Sequence, residues 1–166
     1  MYGISYPEGK GIVVNALKKL LKPNDKILDV GAGSGTYWNY MGKDYNWTAV
    51  EIWADAAENL KKYYDKVYNV DIRNFTYFEN YKLIIFGDVL EHLTVDDAQA
   101  VLFNASHHAD YLMVAVPFKY PQGPLYGNEA ERHLQPDLTN DIFNQRYPGF
   151  MALYLSPMYG YYLKTC

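Results

Sequence analysis

The stretch KILDVGAGSGTYW, residues 26–38, decides the fold of this chain. An apolar-rich run is followed there by three glycines, Gly31, Gly33 and Gly35. The pattern predicts a buried strand that breaks into a tight loop and then enters a helix, because glycine accepts unusual backbone angles and lets a ligand approach the main chain. The N-terminus of the helix adds unpaired N–H groups and the positive end of a dipole. The stretch therefore predicts a binding site for a nucleotide-like ligand.

The spacing of the glycines narrows the choice of ligand. A dinucleotide fingerprint, G-x-G-x-x-G, would place its third glycine at position 36, where this chain has Thr36. A phosphate-binding loop would end in Gly-Lys-Ser/Thr, whereas Gly35 is followed by Thr36 and Tyr37. No Lys or Arg lies between Asp29 and Met41, so that stretch offers no cationic side chain to a phosphate. The loop therefore favours a ligand with a ribose and little negative charge.

Three further strands are predicted to end in an acidic residue. The acid is Glu51 in WTAVEI (residues 47–52), Asp71 in KVYNVDI (66–72) and Asp88 in KLIIFGD (82–88). Glu51 lies about 20 residues after Gly31, the distance at which doubly wound sheets place an acid that binds ribose hydroxyls. Because the carboxyl ends of parallel strands share one edge of the sheet, we expect these acids to meet the glycine loop there.

At these residues the chain resembles the class I S-adenosylmethionine-dependent methyltransferases. The resemblance rests on ILDVGAGSG, VEIW, VDI and FGDVLEHL in that order, and it extends over residues 8–166. It implies a three-layer, doubly wound α/β fold, which is Rossmann-like, with a mostly parallel seven-stranded sheet and a C-terminal antiparallel hairpin. It also implies an enzyme that uses S-adenosylmethionine and releases S-adenosylhomocysteine, moving a methyl group to a hydroxyl, carboxyl or amino group by in-line displacement.

The resemblance assigns cofactor contacts to individual residues. They are Asp29, Gly31, Ala32, Gly33, Gly35, Glu51, Ile52, Asp71, Ile72, Asp88 and Val89. The three glycines would wrap the methionine and ribose portions, and Glu51 would hold the ribose hydroxyls. Asp71 would accept a hydrogen bond from the adenine amino group, with the isoleucines that follow the two acids packing on the ring. Asp88 would lie with Gly87 beside the methionine amino group, and Asp29 would act nearby through water.

A regular alternation of helices and strands is predicted along the chain, within a single domain of residues 1–166. The predicted helices are 8–22, 36–42, 54–64, 95–108 and 138–145; the predicted strands are 26–30, 47–52, 66–71, 82–88, 111–116, 150–156 and 161–165. The last two strands are joined by residues 157–160, which is typical of a hairpin. Thr94 and Asp137 are the predicted N-caps of the last two helices.

Composition and charge narrow the functional classes. A chain of 166 residues that is 49% hydrophobic suits one domain with a full core. The net charge of −4 and the lack of a basic stripe argue against nucleic acid as a partner. No apolar run approaches the roughly 20 residues that span a bilayer, and the start of the chain lacks signal-peptide features. With its one cysteine at Cys166, the chain is expected in the cytoplasm, away from membranes.

Recognition of the methyl acceptor is expected from the irregular stretches 1–7 and 118–136. The second stretch follows the fifth predicted strand, at the same sheet edge as the glycine loop, and is long enough to have a function. Small-molecule methyltransferases of this type carry a similar loop that borders the acceptor. Most of the 18 tyrosines are expected in the core, but four are candidates for an aromatic acceptor pocket: Tyr2, Tyr6, Tyr120 and Tyr126.

His133 is the first candidate for a general base, because an ordinary histidine pKa of about 6.5 suits proton transfer at neutral pH. Glu131 is predicted either to orient this ring or to act in its place, and His92 is the alternative base. The sequence shows no His, Cys and acid cluster with ligand spacing, so no metal is predicted. Some class I O-methyltransferases nevertheless use a divalent ion at the place of Asp88.

The acceptor is predicted to be a small molecule or glycan-like. The Asp/Asn-Pro-Pro-Tyr box of enzymes that methylate bases and amides is absent, since Asp88 precedes Val89 and Leu90. Two other functions stay open: an S-adenosylmethionine-binding module or partner subunit without catalysis, and a nicotinamide-dependent oxidoreductase. The shifted third glycine and the terminal hairpin disfavour the oxidoreductase. A homodimer could close the edge of the pocket, although the sequence shows no interface.

Overall fold

A computed structural model of the protein describes residues 7–125 and 127–166. The strands are β1 (Lys26–Val30), β2 (Asn46–Glu51), β3 (Lys66–Asn69), β4 (Tyr81–Gly87), β5 (Ala109–Pro117), β6 (Met151–Leu155) and β7 (Tyr159–Thr165). The helices are α1 (Lys10–Lys18), α2 (Thr36–Met41), α3 (Ala54–Leu60), α4 (Val95–Ser106) and α5 (Asn140–Arg146). Short 3₁₀ helices span Ile72–Asn74, Leu90–His92 and Glu129–Glu131. No helix among these residues is both long enough and apolar enough to cross a membrane.

The described strands form one seven-stranded sheet in the order β3-β2-β1-β4-β5-β7-β6. β1 to β5 run parallel to one another, and β7 runs antiparallel to both β5 and β6. The carboxyl ends of β1, β2 and β4 therefore lie side by side at one edge, which is where the predicted site residues occur. The predicted fold, a mostly parallel sheet that ends in an antiparallel hairpin, is confirmed.

Alternate residues of the central strands pack into two apolar clusters, one on each face of the sheet. In β4, Ile84 and Phe86 belong to one cluster, whereas Leu83 and Ile85 belong to the other. The first cluster includes side chains of α4 and α5, and the second includes side chains of α1, α2 and α3. Because successive side chains of a strand point to opposite faces, helices cover both faces of the sheet. This is the three-layer arrangement that the sequence predicts.

The start of the last strand differs from its predicted position. Tyr159 was placed by sequence in the hairpin link, but it is the first residue of β7 and pairs with Pro117 of β5. Its side chain is buried, with 2% exposed, so packing against β5 extends the strand into residues that look like a turn. The extension places the Tyr159 hydroxyl at the edge of the sheet that carries the site.

The N-cap of α5 also differs from the prediction. The Thr139 hydroxyl accepts a hydrogen bond from the Ile142 amide at 3.2 Å, whereas Asp137 binds Arg146 through both carboxylate oxygens. Asp137 was therefore the wrong choice, because its carboxylate is engaged by a side chain from the far end of the helix. The predicted cap of α4 is confirmed, since Thr94 accepts from the Asp97 amide at 3.1 Å.

Thr139→Ala is expected to lower the free energy of unfolding by about 1 kcal/mol, because the Ile142 amide loses its side-chain acceptor. A loss of that size lowers the melting midpoint of a chain of this length by roughly 2–4 °C. Thermal unfolding followed by circular dichroism measures the change, and Thr139→Ser is the matched control that keeps the hydroxyl. Equal midpoints for the Ala and Ser variants would contradict this cap.

Candidate functional site

The glycine loop between β1 and α2 borders a cavity of about 590 Å³ at the carboxyl edge of the sheet. Gly31 and Gly33 have φ angles of 64° and 54°, which side-chain-bearing residues rarely adopt. A Cβ at Gly31 would lie 2.6 Å from Cγ2 of Val89, whereas a Cβ at Gly33 would meet only a backbone oxygen at 3.8 Å. The absence of a side chain at Gly31 therefore lets Val89 pack against the loop, and its absence at Gly33 leaves the loop backbone accessible.

Most of the predicted cofactor residues line this cavity. They are Asp29, Gly31, Ala32, Gly33, Glu51, Ile52, Asp71, Ile72, Asp88 and Val89. Gly35 is the exception, because it lies at the N-cap of α2, where a Cβ would be 3.5 Å from Leu60 and Tyr64. Its φ of 78° lets the chain turn into the helix, so its place in the motif is explained by the backbone and not by contact with the cavity.

Glu51 ties the end of β2 to the glycine loop. One carboxylate oxygen accepts from the Gly33 amide at 2.8 Å, and the other accepts from the Trp53 amide at 2.9 Å. Burial raises the pKa of Glu51, and the two amide donors partly offset that increase. Since a carboxylate has about four acceptor positions, both oxygens can still accept from a ligand in the cavity.

Asp29, at the end of β1, is a buried acid beneath the same loop. Its carboxylate accepts from the Tyr64 hydroxyl at 2.7 Å. Burial raises the pKa of Asp29 to about 7, while Tyr64 and the positive charge of Lys10 act in the opposite direction. Lys10 is itself buried beside the Tyr37 ring, with its Nζ 4.7 Å from the ring centroid. The loop therefore rests on a buried layer of ionisable side chains.

Asp88 follows β4 and faces the cavity with an unusual backbone. Its φ of 58° is in the left-handed region, which Asp tolerates better than most residues. Its carboxylate accepts a hydrogen bond from the Tyr159 hydroxyl. The sequence does not indicate this contact of Tyr159, because the pattern predicts the last strand from residue 161 and leaves Tyr159 in the hairpin link. This bond orients Asp88 and joins the antiparallel end of the sheet to the cavity.

Asp71 lies just after β3, at the opposite end of the cavity from the loops that follow β4 and β5. Its carboxylate caps the 3₁₀ helix Ile72–Asn74 by accepting from the Arg73 amide at 2.9 Å, and it pairs with the Arg73 guanidinium. That side-chain pairing is the main reason why the pKa of Asp71 is lowered. The exposed Ile52 side chain and the half-buried Ile72 supply apolar walls at this end.

The long loop after β5 closes the other end of the cavity. The Leu134 and Gln135 amides donate to the Glu91 carbonyl at 2.7 and 3.2 Å, and the His133 amide donates to the Gln122 carbonyl at 3.0 Å. These bonds return the loop to the 3₁₀ helix Leu90–His92. The rings of His92 and His133 then lie edge to face, with centroids 4.7 Å apart.

Both histidines are neutral at neutral pH in this setting. Burial, with a smaller contribution from the neighbouring His133, lowers the pKa of His92 to about 4. Burial also lowers the pKa of His133. Glu91, just before His92, is buried with 1% exposed, and burial followed by the charge of Asp88 raises the pKa of its carboxyl.

Glu131 is at the cavity, but it does not orient His133 through a hydrogen bond. Its carboxylate accepts from the Trp53 indole nitrogen at 2.9 Å, and His133 Nδ1 lies 2.7 Å from the Tyr120 carbonyl. Glu131 therefore joins the long loop to the segment after β2. Trp53 and the Tyr120 carbonyl are site groups that spacing alone does not reveal, because they depend on how the loop folds back.

The aromatic acceptor residues are only partly within the described chain. Tyr120 lines the cavity and is about half exposed. Tyr2, Tyr6 and Tyr126 lie outside the described residues, as does most of the stretch 1–7. A ring contact between Tyr120 and His133, with centroids 5.5 Å apart, connects the aromatic wall to the histidines.

Acidic side chains outnumber basic ones in the described wall of the cavity. Its acidic residues are Asp29, Glu51, Asp71, Asp88, Glu91 and Glu131. Among the described lining residues, Arg73 is the one Lys or Arg, and it is paired with Asp71. A ligand with positive charge is therefore favoured over one rich in phosphate.

The same fold occurs in solved structures of S-adenosylmethionine-dependent methyltransferases. The chain is similar to one from Clostridium acetobutylicum, with a TM-score of 0.72, 11% identity, and coverage of 96% of this chain and 91% of that one. It is also similar to the 1,6-didemethyltoxoflavin-N1-methyltransferase of Burkholderia thailandensis, solved with bound 1,6-didemethyltoxoflavin and S-adenosylhomocysteine. That match has a TM-score of 0.65 and 15% identity, and covers 96% of this chain and 78% of the other. The chain therefore has the fold of the class I S-adenosylmethionine-dependent methyltransferases, as its motifs predict.

A comparison by sequence also finds a methyltransferase. The chain is 29% identical over 104 residues to an rRNA adenine N-6-methyltransferase from Limosilactobacillus reuteri. The match covers 59% of this chain and 43% of that protein, so the chain spans less than half the length of this relative. No protein-family model matches the chain.

Glu51→Ala is expected to destabilise the protein by roughly 1–3 kcal/mol, because the Gly33 and Trp53 amides lose their acceptor. Hydrogen exchange at these two amides should become faster than in the unchanged protein, and urea unfolding gives the loss of stability. Glu58→Ala, on the exposed side of α3, is the control. Unchanged exchange at Gly33 would contradict the role of Glu51 as the anchor of the loop.

Asp29→Asn is expected to weaken the dependence of stability on pH. Since the pKa of Asp29 is raised from its ordinary 3.8 to about 7, the folded protein holds a proton that the unfolded chain releases. Stability therefore falls as the pH rises from about 4 to about 7. Urea unfolding at about pH 5 and about pH 8 measures this fall, which should be smaller in the variant by at least about 1.4 kcal/mol. Equal falls in the two proteins would contradict the assignment.

Proposed function

We propose that this protein binds S-adenosylmethionine and transfers its methyl group to a small-molecule or glycan-like acceptor. The observation that carries the proposal is the cavity at the carboxyl edge of the sheet, where the open glycine loop meets Glu51, Asp71 and Asp88. Its volume of about 590 Å³ is within the roughly 300–1,000 Å³ usual for ligand sites. Its acidic wall suits a cofactor that carries a sulfonium and an amino group.

The residues present fit such a cofactor. Glu51 has acceptor positions left for the two hydroxyls of a ribose, because its amide partners use one position on each oxygen. Gly33 presents open backbone beside it, where a Cβ would fill the space that a ligand needs. Asp88, oriented by Tyr159, offers a carboxylate to an amino group. Asp71 and the isoleucines Ile52 and Ile72 would form the adenine end.

The chemistry asked of the chain is mainly alignment. The bound cofactor would supply an electrophilic methyl group and its own leaving group. Holding the acceptor in line with that methyl group is worth roughly 7–11 kcal/mol of the barrier. His133, His92 and Glu131 line the end of the cavity that the long loop after β5 closes. This end would be the acceptor end, so these side chains are the candidates for acting on the acceptor.

Several observations favour a small acceptor. The Burkholderia thailandensis protein of the same fold was solved with a small molecule. The described wall of the cavity is acidic, the net charge is −4, and the base-methylating box is absent after Asp88. The second candidate is a nucleic-acid base, which the match to an rRNA adenine N-6-methyltransferase suggests. That candidate would require binding of a polyanion with little basic surface to attract it.

Gly33→Val is expected to abolish binding of S-adenosylmethionine, because its side chain would occupy the open space beside the loop. Isothermal titration calorimetry measures the loss as a drop of at least tenfold in affinity. Gly42→Val is the matched control, since Gly42 also has a positive φ and open space but lies outside the cavity. Equal affinities for the two variants would contradict this placement of the cofactor.

The acceptor class can be tested with tritium-labelled S-adenosylmethionine. The purified protein is incubated with a small-molecule extract and, separately, with total RNA, with Gly33→Val as the negative control. Label in the small-molecule fraction supports the proposal, whereas label in RNA alone favours the second candidate. Cofactor binding without label in either fraction would favour a binding module or a partner subunit.

A further inference from the structure

The fold brings together three potential metal ligands that are far apart in sequence. One ligand atom from each of Glu91, His92 and His133 lies within 4.8 Å of the other two. Glu91 and His92 are on the 3₁₀ helix after β4, and His133 arrives on the long loop after β5. The sequence predicts no metal because ligand spacing along the chain is absent, but backbone hydrogen bonds from the loop to the Glu91 carbonyl create the cluster in space.

Both histidine rings are oriented by backbone carbonyls. His133 Nδ1 lies 2.7 Å from the Tyr120 carbonyl oxygen, and His92 Nδ1 lies 3.3 Å from the Arg132 carbonyl oxygen. Histidines that bind metals usually donate one ring N–H to such an acceptor, which fixes the tautomer and leaves the other nitrogen to the ion. The two rings therefore have the outer contacts of metal ligands, with Nε2 as the ligand atom.

Glu91 supplies an independent observation that points to a cation. Its side chain is buried, and among the described residues its Oε2 atom has no hydrogen-bond partner. Leaving a buried carboxylate oxygen without a donor or a positive charge is costly. The nearby Arg132 does not relieve this cost, because its guanidinium pairs with Glu129.

We propose that Glu91, His92 and His133 bind a divalent transition-metal ion at the acceptor end of the cavity. Two imidazoles and one carboxylate suit Mn²⁺, Fe²⁺, Co²⁺ or Zn²⁺ better than Mg²⁺ or Ca²⁺, which prefer oxygen ligands. Three protein ligands leave coordination positions open, as in catalytic metal sites. All three residues line the cavity, so an ion held by them would be accessible to an acceptor bound there.

Some O-methyltransferases use a divalent ion at the place of Asp88, whereas the ligands proposed here are Glu91, His92 and His133. Asp88 accepts from Tyr159 and is not part of the cluster. The ion would also change the role of the histidines, because a ring nitrogen that binds a metal cannot accept the proton of the acceptor. In the proposed methyl transfer, the ion would bind a donor atom of the acceptor and lower the pKa of that atom. This role of the ion rests on the proposed function, whereas binding of the ion does not.

The test is calorimetric titration of the chelator-treated protein with MnCl₂ and with ZnCl₂, without any methyl donor. We expect one ion per chain, and at least tenfold weaker binding in His92→Asn, His133→Asn and Glu91→Gln. The control is His107→Asn, an exposed histidine whose Nδ1 also contacts a backbone carbonyl. If the unchanged protein binds neither ion, or if the cluster variants bind like the control, the proposal is overturned.

Thermal unfolding with and without the ion guards against variants that merely fail to fold. Glu91→Gln keeps the shape of the side chain and removes its charge, so this variant should fold as well as the unchanged protein without metal. We expect the ion to raise the melting midpoint of the unchanged protein and of His107→Asn, but not that of Glu91→Gln. Equal stabilisation of Glu91→Gln would contradict the site. Because these measurements need no S-adenosylmethionine, failure of the metal site is distinguishable from failure of the proposed function.

Discussion

The two hydrogen bonds that the Glu51 carboxylate accepts, from Gly33 and Trp53, are the interaction on which the rest of the site depends. They hold the glycine loop of β1 against the end of β2 and turn the next segment so that the Trp53 indole reaches Glu131. The long loop after β5 is thereby connected to the end of the cavity that the glycine loop borders. The hydrogen bonds of this one buried acid thus link the segments on both sides of the cavity.

The cavity concentrates buried carboxyl groups at a cost to stability. Asp29, Glu51 and Glu91 are buried acids, and burial raises the pKa of each. Proteins retain such costly groups chiefly at functional sites. Here the cost is understandable if the ligands are positive: a cofactor with a sulfonium near Asp88, and a divalent ion at Glu91. The two proposals rest on different observations and are tested separately.

The sequence predicts the end of the cavity beside the glycine loop better than the end that the long loop after β5 closes. The glycine loop, Glu51 and Asp71 are set by local spacing, because each follows a strand whose place in the sheet is fixed by its apolar pattern. The contacts of Tyr159, Trp53 and the histidine cluster depend instead on how distant segments fold against each other. Gly35 fits the motif but serves the start of α2. Local sequence patterns therefore predict correctly which strand ends form the edge of the cavity, but they do not predict the groups that long-range packing brings to this edge.

Calorimetric titration of the unchanged protein with S-adenosylmethionine, and separately with NADH, tests the central claim most directly. We expect one S-adenosylmethionine to bind per chain with a dissociation constant on the order of micromolar, about −8 kcal/mol. We expect no comparable binding of NADH, since the loop lacks the dinucleotide spacing and a cation for phosphate. Binding of NADH without S-adenosylmethionine, or of neither ligand, would contradict this claim.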